Sequence, residues 1–188
     1  MAKELNIAAL ALLVLPGLAL ADCFRADGND GQIGFTGVAE GRAFSGHFGQ
    51  FEVSVCMDGR DLATAGIEVA IETGSADTGS RQRDSEMLGP HFFDVENHPR
   101  AVWESTDVRA SDDGFVADGK LTLRGVTAAQ PVRLSLSNGE TPVLSGSAEI
   151  MRLDWNVGSN DPDFEDTDFI RNRVDLEFEL QLQPYSEG

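Results

Sequence analysis

Val174-Asp175-Leu176-Glu177-Phe178-Glu179-Leu180-Gln181-Leu182 places an apolar side chain at every second position and a charged or amide side chain between. Successive residues of a strand point to opposite faces, so this stretch carries one apolar face and one wetted face. A helix would repeat its apolar residues at intervals of three and four, which this stretch does not do. The same period recurs upstream. Phe51, Val53, Val55 and Met57 alternate with Glu52, Ser54, Cys56 and Asp58, and Ile67, Val69, Ile71 and Thr73 alternate with Glu68, Ala70 and Glu72. Ile33 with Phe35, the run 101–105, the run Phe115 to Leu123, and Val132 with Leu134 and Leu136 add further strands. A run with blurred alternation covers 144–155.

These make eight candidate strands, joined by turn signals such as Asp112-Asp113-Gly114 and Ser137-Asn138-Gly139. No long amphipathic helix separates them, which argues against parallel βαβ units. Sequential antiparallel strands with one apolar face fit an up-and-down barrel or a sandwich. Closure into a barrel would hide the edges of strands this apolar. Residues 84–95 depart from the strand pattern and predict a short helical loop.

At the N-terminus, the apolar run Ile7 to Leu15, the helix-breaking Pro16-Gly17 and the small-residue Ala19-Leu20-Ala21 predict a secretory signal, residues 1–21, that is cleaved. The rival reading, a membrane anchor, meets a run too short to span comfortably. Lipoprotein processing at Cys23 would want a small residue before it, and Asp22 stands there. The remainder, 22–188, predicts a single domain with a real core, exported to the periplasm. A formal net charge of −18 argues against nucleic acid and against adsorption to anionic membranes. A solubilising surface is the simplest account of it. Two cysteines in an exported chain predict one disulfide, Cys23–Cys56, with two free thiols as the alternative. Such a bridge contributes about 3–4 kcal/mol on the chain-entropy model. Cys56 falls on the polar side of its strand, so the bridge is expected to pin the N-terminal tail to the outside of the fold.

Gly89-Pro90-His91-Phe92-Phe93-Asp94-Val95-Glu96-Asn97-His98-Pro99 holds two adjacent aromatics in a loop. Loops are normally polar, so the pair has either a satellite core to fill or an apolar space to close. His91, Asp94 and His98 carry metal-ligand chemistry, but loop histidines are commonly plain polar residues, and that reading is preferred. The acidic run Asn160 to Asp168 lacks the glycine that a calcium loop of the EF-hand type needs at its sixth position, which excludes that loop type. A solvated turn with Phe164 packing inward is expected instead. There is no GxSxG, glycine-rich phosphate loop or HExxH, and carboxylates are paired only because they are many. No metal, cofactor or catalytic residue is expected.

Several motifs together resemble the YceI-like family. They are Gly46-His47-Phe48-Gly49-Gln50-Phe51, the run Ile71 to Gly79, Arg83-Asp84, Phe92-Phe93-Asp94 and His98-Pro99. Gly119-Lys120-Leu121-Thr122-Leu123-Arg124-Gly125-Val126-Thr127 and the run Met151 to Gly158 follow in the family's order. The chain departs from the family at Gly31-Gln32-Ile33 and at Val55-Cys56-Met57-Asp58. The resemblance implies an all-β fold, a lipocalin-like eight-stranded antiparallel up-and-down barrel. It further implies that the interior binds an isoprenoid lipid such as a quinone, and that a membrane b-type cytochrome is a candidate partner. The implied contacts are the inward strand residues Phe35, Phe51, Val53, Val69, Ile71, Leu121, Leu123, Val132, Leu134, Leu176, Phe178 and Leu180. Phe92 and Phe93 would close the cavity. Arg83 and Asp84 would either orient a polar headgroup or brace the loop, bracing being preferred. The same strand residues would be core in any β-domain, and they form a site only if the barrel is hollow. A filled domain without a small ligand, its two rings acting as a plug, is the competing expectation.

Overall fold

The computed structural model describes residues 21–137 and 139–185; the expected signal segment falls almost wholly outside them. Thirteen strand segments make one antiparallel sheet. β1 (Asp22–Asp27) runs on into β2 (Gly31–Ala39), β3 (Arg42–Phe48) into β4 (Phe51–Met57), and β5 (Gly66–Glu72) into β6 (Ala76–Asp77). β7 (Arg100–Ser111) and β8 (Gly114–Leu123) form a hairpin, and β9 (Val126–Ala129) continues into β10 (Val132–Ser137). β11 (Val143–Met151) precedes β12 (Arg173–Gln181), which continues into β13 (Gln183–Tyr185). Counted through their interruptions, these are eight long strands.

The ring closes at the alternating stretch Val174 to Leu182. β12 pairs β11 along its whole length, from Val143↔Gln181 to Met151↔Arg173, and pairs β2 on its other side, from Gly31↔Leu180 to Thr36↔Asp175. β13 pairs β1, so the last strand lies against the first. The interruptions have local causes. Pro131 cannot donate to the ladder and separates β9 from β10. A register shift between Ser105 and Asp107 bulges β7 and bends the wall. Glu40-Gly41 and Arg124-Gly125 have φ of 52 and 70 and of 49 and 73, the left-handed pairs that a tight two-residue hairpin turn needs.

Alternation sorts the side chains as expected: Phe51, Val53, Val55 and Met57 are buried, and Glu52 and Ser54 between them are exposed. One end of the barrel is packed solid. Val55, Met57, Leu62 and Leu182 there are each 1% exposed or less. The other end is covered by α1 (Arg81–Leu88), the turns that follow it to residue 98, and a 3-10 turn at Arg152–Trp155 with the segment after it, which contains the short helix α2 (Pro162–Glu165).

Three expectations need correction. The run 144–155 is strand only to Met151; at Arg152 the chain turns inward over the barrel end. The helix begins at Arg81, earlier than expected, and residues 89–98 are turns. The Cys23–Cys56 disulfide forms, joining directly opposed residues with Cα atoms 4.1 Å apart. Residues 22–27, however, are a wall strand paired on both sides, not a tail pinned outside.

Candidate functional site

The barrel is not filled at its covered end. A cavity of about 150 Å³ lies under the cap, and a second of about 100 Å³ lies deeper. Both are walled almost entirely by apolar side chains. They share Ile71, Leu121, Ile150 and Leu176, so the two chambers adjoin along the barrel axis. A larger trough of about 940 Å³ on the outer wall, lined by groups such as Gln32, Ser145, Glu177 and Glu179, is polar and open to water.

The space inside owes something to glycine. Inward positions on neighbouring strands pair an aromatic with a glycine, and the ring occupies the volume that a Cβ would take. Phe35 lies so against Gly46, Phe44 against Gly37, Phe178 against Gly146 and Trp103 against Gly119. Rings laid along the wall in this way cover the glycine backbone and leave the axis less crowded. The buried Trp103 indole also donates to the Gln130 carbonyl at 2.8 Å, which fixes its plane.

Most residues expected to contact a ligand reach these chambers. Phe35, Ile71, Phe92, Phe93, Leu121, Leu123 and Leu176 line the outer one. Val53, Val69, Val132, Leu134, Phe178 and Leu180 line the inner one. Phe51 does not: it is buried at 5% exposure in the packed core beside Val53 and Val55. Phe92 and Phe93 form part of the chamber wall, Phe93 packing toward Phe48 and Phe92 toward Phe164, with ring centroids 6.1 and 5.0 Å apart. Phe164 does turn inward, as the sequence suggested.

Arg83 and Asp84 stand outside both chambers. The Asp84 carboxylate accepts from the Thr78 hydroxyl at 2.6 Å and the Thr78 amide at 2.9 Å, so it braces the start of α1. The hydroxyl bond is the main reason its pKa lies below the ordinary aspartate value, with the Thr78 amide and the Arg83 charge adding to it and partial desolvation opposing. Arg83 places its guanidinium 4.7 Å from the centre of the Phe44 ring, a cation–π contact.

Two arginines that alternation could not identify hold the cap in place. Arg124, at the tip of the β8–β9 hairpin, donates to the carbonyls of Pro90, His91 and Asn156. Arg152 is 4% exposed and donates to the carbonyls of Val157, Phe164, Ile170 and Arg171. Among the described residues it has no carboxylate partner, and burial alone pushes its pKa down. A charge placed within a strand run reads as outward-facing; the four carbonyls that bind it come from a loop whose path the sequence does not show.

The histidines do not converge. His98 Nε2 is 3.9 Å from Asp94 Oδ2, and His91 Nδ1 is 3.3 Å from Asn160 Oδ1. Among the described residues no group of three His, Cys, Asp or Glu is arranged to hold a metal ion.

With this geometry in hand, comparison with known proteins is informative. The family model for the YceI-like domain matches residues 24–182, nearly the whole barrel. A UPF0312 protein of Pectobacterium atrosepticum is 31% identical over 145 residues, covering 73% of this chain and 74% of that protein. A UPF0312 protein of Yersinia pestis is 39% identical over 89 residues, and the match spans 45% of its length. Among solved structures, BcnA of Burkholderia cenocepacia superposes with a TM-score of 0.74 at 23% identity, over 84% of this chain and 99% of that one. A polyisoprenoid-binding domain from Saccharophagus degradans superposes with a TM-score of 0.64 at 16% identity, over 88% of this chain and 99% of that one. These likenesses show the same fold, and the family match and the Pectobacterium relative settle the kinship: this chain belongs to the YceI-like family.

Proposed function

We propose that this protein is a periplasmic carrier that encloses the chain of an isoprenoid lipid, a quinone tail among the candidates, and acts by encapsulation without chemistry. The observation that carries this reading is the pair of adjoining apolar chambers, which share Ile71, Leu121, Ile150 and Leu176. Two chambers in line suit a long thin chain better than a compact ligand. Each methylene removed from water there contributes about 0.8 kcal/mol, offset in part by the ordering of the chain. Family membership and the polyisoprenoid-binding description of the Saccharophagus domain support the ligand class. The disulfide supports an oxidising compartment, in keeping with the signal-like N-terminus.

Trp103 lines the inner chamber and reports on it. Titration of a Trp155→Phe variant, whose single tryptophan is Trp103, with geranylgeraniol is expected to shift Trp103 emission and to saturate at one chain per barrel. Unchanged emission together with no heat of binding would sink the carrier reading.

A further inference from the structure

A surface groove of about 420 Å³ runs between the tip of the β2–β3 hairpin, α1 and the segment 164–170. It shares Phe44, Met87, Phe92 and Ile170 with the outer chamber, so those four side chains form both its floor and the chamber's roof. The rest of its lining is mixed, with Ala39, Ala43, Phe164 and Phe169 beside the polar Glu40, Arg42, Ser80, Gln82, Arg83 and Glu86. Among the described residues none of these four charged groups has an ion-pair partner within 4.0 Å.

The buried polar groups of the barrel, Thr73, Gln130 and Arg152, are by contrast already occupied. The Thr73 hydroxyl lies 2.9 Å from the carbonyls of His98 and Pro99. Arg152 is bound by four carbonyls, and the Gln130 amide donates to Pro131 and Glu149. A polar head drawn into either chamber would leave its water partners without replacement, at a cost that the groove does not impose. The opposite end is filled by Met57, Leu62 and Leu182.

Resting on the carrier reading above, we infer that the lipid passes tail-first through this groove and leaves its polar head there, and that the head is uncharged. Two arginines and two glutamates balance at the site, and they offer donors and acceptors together, as an alcohol or a quinone ring requires. A phosphate carries about −1.5 to −2 charges and would face the uncompensated field of a chain of net charge −18. Phe44 is the leaf of this opening. Its ring is held between the Gly37 backbone and the Arg83 guanidinium, and a Cβ on Gly37 would stand 2.7 Å from the ring's Cζ.

The test is photo-crosslinking with a geranylgeranyl chain that carries a benzophenone at its polar end, with unlabelled geranylgeraniol as competitor. Competed adducts on residues 38–44, 80–87 or 164–170 are the expected result. Competed adducts beside Arg60 and Leu62 would overturn the portal and leave the carrier reading intact. No competed adduct, in a protein whose Trp103 emission still responds to geranylgeraniol, also overturns it; no response at all removes the carrier reading and this inference with it. Geranylgeraniol is expected to displace the probe at concentrations about tenfold below geranylgeranyl monophosphate. Equal or stronger displacement by the phosphate overturns the uncharged-head assignment. Gly37→Ala is expected to slow loading by pushing Phe44 into the opening, and Gly37→Ala with Phe44→Ala to restore it.

Discussion

The ring of Phe178 occupies the space of the missing side chain on Gly146, directly opposite it across the β11–β12 ladder: a Cβ on Gly146 would stand 2.5 Å from the ring's Cζ. Gly146→Ala therefore forces either the ring or the wall to move, and overpacking of this kind costs about 1–3 kcal/mol. Measured against Phe178→Ala alone, the same glycine change should cost less but not nothing, because the Arg133 carbonyl also crowds the position. Urea unfolding of Gly146→Ala, of Phe178→Ala and of the double variant Gly146→Ala/Phe178→Ala measures both. A single variant as stable as the wild type would contradict the role given to glycine here.

Cys23 and Cys56 close a loop of sequence separation 33. Replacing both by serine is expected to cost about 3–4 kcal/mol in unfolding free energy, by releasing the denatured chain. The bridge sits on the wetted side of the wall, so lipid uptake in native buffer should be unchanged. Urea titrations with and without reductant check the first point, and the Trp103 titration checks the second.

Arg152→Met removes a buried charge but strands the carbonyls of Val157, Phe164, Ile170 and Arg171. Unsatisfied buried acceptors outweigh the relief of desolvation, so a loss of at least about 3 kcal/mol is expected. Hydrogen exchange should show the loss concentrated in residues 152–171, with the far end of the barrel still protected. Uniform loss of protection across the barrel would show that Arg152 is not a local clamp on the cap.

Asp84 ionises in the folded state at lower pH than in the unfolded chain, chiefly because of its bond from the Thr78 hydroxyl. A depressed folded value means that its contribution is fully present above the ordinary value of 3.8 and is lost as pH falls through the lower folded value. The stability difference between the wild type and Asp84→Asn is therefore expected to be constant above pH 5 or so and to shrink toward pH 3. A difference that grows on acidification would contradict the bracing role.

The architecture was readable wherever an inward position carries an apolar side chain, as along Val174 to Leu182. The missed strand, Arg42 to Phe48, has the same alternation, but one of its inward positions is Gly46, whose space is filled by Phe35 from the neighbouring strand. Its inward series Phe44, Gly46, Phe48 thus hides the period. Most wall residues of the site could be named because inward-facing and chamber-lining are nearly the same property. Phe51 shows the difference: alternation places it inside, but whether the interior beside it is filled depends on residues far away in the chain. Hollowness, the cap and its two arginine clamps come from loop paths, for which a sequence has no period.

The most direct test of the carrier account is mass spectrometry of an organic extract of the protein, purified from its native host. The account predicts one isoprenoid lipid per barrel, retained through purification. An empty extract, from a protein that also fails to take up added geranylgeraniol, would contradict it and leave Phe92 and Phe93 as the plug of a ligand-free domain.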